Sequence, residues 1–249
     1  MAKVYGKAGE NAFRKGLDKQ LNTLLFIVVG ISVLFGLVGF LYGRCLLGSL
    51  SSFAGLLLLI VTTTILQKKI DKLIEKRLRD ARAWRRGAEG EHVVAELLES
   101  DLPDEYVVFN DVRFPGRMSN IDHVVIGPSG IFTINTKNWR GIVKWAEDGK
   151  TLMWNGEPEK KKSADAALAD ALDVHGKLRI LLNRDFFVKP ILVFPMAKVV
   201  PKLDAPVDLQ QDDYLIEKRL KYVDKRNALS KKDVDEVAKA LRALFRESV

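Results

Sequence analysis

NIDHVVIGPSGIFTINTKNWRG, residues 120–141, carries two β-branched runs, Ile121 to Ile126 and Ile131 to Thr136, on either side of Gly127-Pro128-Ser129-Gly130. Gly and Pro supply turn dihedrals and the Val/Ile/Phe/Thr runs suit paired strands, so the stretch is read as a β-hairpin. Successive side chains on a strand alternate faces. Thr133, Asn135 and Lys137 therefore point one way, and Phe132, Ile134 and Thr136 the other. On the first arm Asp122 shares a face with Val124 and Ile126. An acid in an apolar strand, opposite an amide and a lysine, is costly unless those groups meet one another, a metal or a ligand. The chemistry is expected there.

Working outward, the 249-residue chain has a formal net charge of +8. Leu21 to Gly43 contains no charged residue, and after Arg44 neither does Cys45 to Leu66. Each run exceeds the roughly 18 to 20 apolar residues that a bilayer-crossing helix needs. The first is too long for the core of a signal peptide and no small-x-small cleavage site follows it. Two membrane-spanning helices are expected, joined around Tyr42 to Gly48. Residues 1–20 carry a net +3 and residues 67–86 a net +6, whereas the joint carries only Arg44. The positive-inside rule then puts both termini, and everything after Leu66, in the cytoplasm, at the inner or plasma membrane.

Subtracting these segments leaves residues 87–249 with a net charge of −2. The basic balance thus belongs to the anchor and is no nucleic-acid footprint. Lys68 to Arg86 is expected to contact anionic lipid headgroups, at about 1 kcal/mol per basic residue. Gly39 and Gly43 form a G-x-x-x-G through which helices, including those of a second copy, could pack. Cys45 is the only cysteine, so an internal disulfide and a cysteine-based metal site are both excluded. His92, His123 and His175 are too scattered to suggest zinc. His123 and His175 read as core histidines.

The domain plan has five parts. They are a basic segment at 1–20, two spans within 21–66, a basic amphipathic helix at 67–86, a globular domain at 87–200 and a helical tail at 201–249. Gly87-Ala88-Glu89-Gly90-Glu91 ends the basic run and opens a new helix that stops near Pro103. Strands follow at Tyr106 to Phe114, in the hairpin, at Gly141 to Trp145 and at Lys150 to Trp154. Ser163 to Asn183 is helical, with Ala167, Leu168, Leu172, His175, Leu178 and Leu182 on its buried side. Pro190 to Phe194 suits an interior strand. Two helical segments, Gln211 to Lys221 and Ser230 to Arg246, end the chain, with Ser230 and Asp233 as a cap. The order implies an α/β fold with a mixed sheet.

Gly87-x-x-Gly90-Glu91, then Ile121-Asp122-His123-Val124-Val125-Ile126-Gly127-Pro128-x-Gly130-Ile131-Phe132, then Thr136-Lys137-Asn138-x-x-Gly141, resembles the NERD (nuclease-related) domain. That family is similar to the PD-(D/E)xK nucleases, with a restriction-endonuclease-like αβββαβ core. The resemblance is dense from Gly87 to about Trp145 and only topological from there to about Phe194. It implies phosphodiester hydrolysis dependent on Mg²⁺, with Mn²⁺ as an alternative ion. Asp122 matches the metal-binding aspartate, Lys137 the lysine that orients or deprotonates the attacking water, and Glu91 the helical glutamate that supports the metal. Asn135 departs from the pattern, which has a second carboxylate there. An amide oxygen can still bind Mg²⁺ but adds no charge, so the metal set reads Asp122, Glu91 and Asn135.

Arg113, Arg117, Arg140 and Lys144 lie near the hairpin in sequence and are candidates to neutralise phosphates. A solvated charged face explains the same residues. Trp139 is either a base-stacking or a packing residue. No base-reading motif is present, so DNA without strong sequence preference is the expected substrate, and RNA is the alternative. The competing functions are a nucleic-acid-binding or tethering module that does not cut, and a membrane scaffold.

Overall fold

The computed structural model describes all residues except 46–48, 115–118, 203 and 247–249. Of residues 11–13, 32, 35, 40–45, 49–67, 70, 213, 245 and 246, only the backbone is described. The chain divides into two compact units, residues 12–85 and residues 1–11 with 86–249. In chain order the elements are β1 (Lys3–Tyr5), α1 (Glu10–Cys45), α2 (Ser49–Asp101), β2 (Val107–Val112), β3 (Ile121–Gly127) and β4 (Gly130–Thr136). There follow β5 (Gly141–Trp145), β6 (Leu152–Trp154), β7 (Glu157–Pro158), α3 (Ser163–Leu182), β8 (Val188–Val193), β9 (Ala197–Val200) and β10 (Asp208–Gln210). A short helix, α4 (Asp212–Leu215), runs into a π-helical turn at Ile216–Leu220, and α5 (Lys231–Arg246) comes last.

Within the first unit, the ring of Trp84 lies beneath the Lys15 and Lys19 ammonium groups, 5.0 and 5.6 Å from its centroid. Lys19 also pairs with Asp80 at 3.4 Å, and Arg77 stands 5.7 Å from the Phe26 ring. The amphipathic stretch after the second apolar run therefore packs along α1 of the same chain. Among the described residues one helical segment, Arg14–Gly39, is long and apolar enough to cross a membrane. The expected second span and the joint at Tyr42 to Gly48 fall on residues whose side chains, or whose whole placement, lie outside the description.

The second unit is built on a mixed six-stranded sheet in the order β1-β2-β3-β4-β8-β10. β2, β3 and β4 are antiparallel to one another, while β1, β8 and β10 join in parallel. The expected hairpin is β3–β4, paired from Gly127 with Gly130 to His123 with Ile134. Val124, Ile126 and Ile131 pack with Ala171, Val174 and Leu178 of α3 and with Val234, Val237 and Leu241 of α5. On the opposite face Val125, Phe132 and Ile134 pack with Val94 and Leu98 of α2 and with Leu215, Ile216 and Leu220. Residues beyond 200 thus cover parts of both faces of the sheet, because their apolar residues recur at helical spacing. α5 begins in a capping box: Asp233 N–H donates to Ser230 Oγ at 3.2 Å and Ser230 N–H to Asp233 Oδ2 at 3.1 Å. β5 and β6 stand apart from the main sheet, in a four-stranded sheet ordered β7-β6-β5-β9.

Two expectations are corrected. No new helix opens at Gly87, since α2 runs unbroken through Gly87 and Gly90 to Asp101. Packing explains why a glycine sits mid-helix: a Cβ on Gly90 would stand 2.9 Å from Asn138 Cβ, where the helix crosses the segment after β4. The buried arc of α3 is also rotated, running through Ala164, Ala167, Asp170, Ala171, Val174 and Leu178. Leu168 and Leu172 are 38% and 61% exposed instead. Small residues on the inner arc seat the helix on the sheet, and Asp170 lies there because it has a partner below.

Candidate active site

The register places the polar residues in one row across the sheet. Asp122 on β3 stands directly opposite Asn135 on β4, one step beyond the His123–Ile134 pair. On its other side the neighbouring pairs, Asn110–His123 and Val112–Ile121, put Asp111 of β2 opposite Asp122. Asp111 has φ +57°, a left-handed conformation that aspartate tolerates better than most side chains. Its Oδ1 accepts from Asn120 Nδ2 at 2.5 Å.

Asp122 is held in place by backbone. Its Oδ2 accepts from Thr136 N–H at 2.6 Å, and its own N–H donates to Asn135 Oδ1 at 3.4 Å. The other end of the Asn135 amide donates through Nδ2 to Asp170 Oδ2 at 2.6 Å. Asp170, buried on α3, therefore fixes which way Asn135 faces: amide oxygen toward Asp122, amide nitrogen away. Lys137 extends the ladder, its N–H donating to Val193 O at 2.8 Å and its Nζ to Thr136 O at 3.3 Å.

Glu91 reaches this row from α2, in the opposite layer. It is buried, and its Oε2 has no hydrogen-bond partner. Burial pushes its carboxyl up to about 8, with the charges of Asp122 and Asp111 adding to the effect and Lys137 and the Gly9 N–H opposing it. Asp122 keeps some exposed surface, yet burial raises it too; Lys137 and the Thr136 N–H oppose that rise, and Asp170 and Asp111 add to it. Carboxylates crowded beside a single lysine, with one buried oxygen unpartnered, suit a cation better than they suit each other. Among the described residues no three His, Cys, Asp or Glu side chains gather around one point. The oxygen donors that the fold brings toward Lys137 are Glu91, Asp122 and the amide oxygen of Asn135.

Because α2 is continuous, Glu91 lies far inside a helix, and the positive end of a helix dipole plays no part in its placement. His123 is fully buried, with Nδ1 2.8 Å from Asn110 Oδ1 and Nε2 without a partner, and burial lowers it to about 3. It is a neutral core histidine on the face away from Asp122. His175 bonds the Phe186 carbonyl at 2.7 Å through Nδ1. Trp139 is packing: its ring stacks 4.9 Å from Trp154 and lies 5.3 Å from Phe194. Arg113, Arg140 and Lys144 are exposed, and Arg117 lies outside the described residues.

Sequence reasoning missed Asp111 and Asp170. Asp170 carried a signal, as an acid at the centre of an alanine-rich helical arc (Ala164, Ala167, Ala171). Asp111 carried none, since an acid near a strand end is commonplace.

The Asn135–Asp170 contact explains the departure at 135. A carboxylate there would face Asp170 at hydrogen-bond distance and Asp122 across the strand. Asn135→Asp alone is therefore expected to destabilise the domain by about 2–4 kcal/mol in urea unfolding at neutral pH. Adding Asp170→Asn, which moves the charge rather than adding one, is expected to restore most of that loss. A double variant no more stable than the single one would show that the pair is not coupled.

Glu91 also sets a pH dependence. Its folded value lies above the ordinary 4.5, so the native state holds a proton that the unfolded chain has lost between pH 4.5 and 8. That contribution is complete below about pH 4.5 and fades as pH rises through about 8. In metal-free buffer Glu91→Gln is expected to gain stability relative to wild type between pH 5 and pH 9, read as urea midpoints. A constant difference across that range would remove Glu91 as the titrating group.

The sequence model of the nuclease-related domain family (NERD) matches residues 86–195, which run from the site-bearing part of α2 to just past β8. An uncharacterized protein of Bacillus anthracis is 33% identical over 84 residues, amounting to 32% of this chain and 38% of that protein. The chain thus spans well under half the length of this curated relative. No solved structure gives a significant match.

Proposed function

We propose that residues 86–195, with the elements that complete their sheet, form a metal-dependent nuclease that hydrolyses phosphodiester bonds in DNA. The observation that carries this reading is the buried, unpartnered Oε2 of Glu91 beside Asp122 and Lys137, inside a stretch matched by a nuclease-related family. Glu91, Asp122 and the Asn135 amide oxygen would hold Mg²⁺. Such an ion polarises phosphoryl oxygens and lowers the pKa of a bound water. Lys137 contributes a fixed positive charge near the attacking water and the negative charge that develops on phosphorus. Asp170 keeps the Asn135 oxygen facing inward. Arg113, Arg140 and Lys144, all exposed, and Arg117 are the groups proposed to neutralise backbone phosphates, which gives affinity without base reading.

Arg14–Gly39 supports an anchor at the inner or plasma membrane, and the basic residues flanking the apolar runs favour a cytoplasmic domain near anionic lipid. Cleavage would then be confined to nucleic acid that reaches the membrane. The test is incubation of the full chain, in detergent, with supercoiled and linear DNA in Mg²⁺, Mn²⁺ or chelator. Cutting that requires the metal supports the proposal. A second reading, a DNA tether that does not cut, is favoured by the Asn135 amide, whose two ends already bond Asp122 and Asp170. Salt-sensitive DNA binding with no cutting in either metal would select it, and neither cutting nor binding would leave a membrane scaffold.

A further inference from the structure

Residues 1–11 lead into α1, yet they belong to the compact unit that carries the site. β1 is the edge strand of the main sheet, in parallel register with β2 from Lys3–Val107 to Tyr5–Phe109. Ala2 is buried, and Lys3 N–H donates to Tyr106 O at 3.0 Å. The Tyr5 ring stacks 5.1 Å from Phe109, and the Arg242 guanidinium of α5 lies 4.8 Å from the Tyr5 centroid. An isolated parallel edge strand of three residues would be marginal; these contacts hold it.

Beyond the strand the chain comes up against α2. Gly9 has φ +70°, and a Cβ built on it would stand 3.0 Å from Ala88 O and 3.1 Å from Ala88 Cβ. Only glycine combines that dihedral with so close an approach to helix backbone. Ala88 lies three residues before Glu91, on the same face of α2. From this position the Gly9 N–H acts on the Glu91 carboxylate, opposing the rise that burial causes, while Oε2 remains without a partner.

We propose that Gly9 is a positioning residue of the site: its N–H, carried by β1 and pressed against Ala88, fixes the Glu91 carboxylate and leaves its second oxygen to a bound cation. This rests on the metal reading above. It also means that residues 87–200 alone lack a part of the site, which arrives from the segment immediately preceding the apolar helix.

The test uses the full chain in detergent and two measurements. In the absence of metal, exchange of the Gly9 amide is expected to be slow in wild type and at least ~10-fold faster in Glu91→Ala. Mn²⁺ binding, followed by electron paramagnetic resonance, is expected to weaken by about 10-fold in Gly9→Ala. It should weaken in the same direction in Tyr5→Ala, which loosens the strand without touching Glu91. Thermal midpoints are read alongside, since a merely structural role would lower the midpoint without changing the affinity of the folded protein. A Gly9 amide that exchanges freely in wild type overturns the proposal. So does Mn²⁺ affinity that Asp122→Ala abolishes but that Gly9→Ala leaves unchanged, an outcome in which the metal reading survives. A wild type that binds no Mn²⁺ removes the metal reading and this proposal together.

Discussion

The proposed metal-dependent DNA cleavage is expected to fall by about 10²–10³-fold in Lys137→Ala, the loss typical of removing one preorganised group that stabilises developing charge. The side chain is well placed for that effect. Its backbone is tied to β8 through Val193 O, and its Nζ is tethered to Thr136 O. Its charge acts on both Asp122 and Glu91, lowering the proton affinity of each against the burial that raises it. Removing the ammonium should therefore leave the carboxylates protonated over a wider pH range and leave the transition-state charge uncompensated. Lys137→Arg is not expected to rescue, because a planar, longer fork cannot occupy the place of a compact ammonium. DNA binding at low salt should change little, since one of several cations is lost. The measurement is the initial rate of conversion of supercoiled DNA in Mg²⁺, with Asp122→Ala alongside. Wild-type rates in both variants would locate the cutting elsewhere or in a contaminant.

Gly127→Ala is expected to cost the domain about 3 kcal/mol or more, the upper range for forcing volume into a packed core. A Cβ at this position would overlap the Tyr106 ring, with Cδ1 and Cε1 its nearest atoms. The ring cannot retreat easily. Tyr106 is buried, and its hydroxyl donates to Leu220 O at 2.8 Å and lies 3.0 Å from Ser129 Oγ. Ser129 donates to the same carbonyl, at the end of the π-helical turn. Gly127 itself is bound into the β3–β4 ladder opposite Gly130. Urea unfolding monitored by far-ultraviolet circular dichroism gives the loss. Combining Gly127→Ala with Tyr106→Ala should cost less than the sum of the two, because the second substitution removes the clash made by the first. Strict additivity would show that the ring and the turn do not meet.

The motif glycines were legible in the sequence as positions, but the reasons for them were not. Gly127 and Gly90 were both visible as fixed points of a pattern, one in a turn and one near a helix. Their actual reason is contact with residues distant in sequence: Tyr106 for Gly127 and Asn138 for Gly90. The hairpin, by contrast, was legible almost to the residue, because turn chemistry and strand alternation are local. The α3 helix was legible in extent but not in orientation. Ala167 and Leu178 of the expected face are buried, but Leu168 and Leu172 are exposed, and Ala164, Asp170, Ala171 and Val174 complete the buried arc in their place.

Local chemistry in the chain was sufficient to place the hairpin, to set Asp122, Asn135 and Lys137 near one end of it, and to mark an apolar segment long enough for a membrane. Each of those follows from spacings of a few residues, where the backbone period alone decides which side chains share a face. Strand partners and layers are chosen over separations of tens of residues, by which apolar faces can be buried together. That choice brought Asp111 opposite Asp122, laid Asp170 over Asn135, and carried Glu91 and Gly9 in from opposite ends of a 36-residue helix and much of a 53-residue one. Long-range packing, rather than any motif, assembled the charge around Lys137.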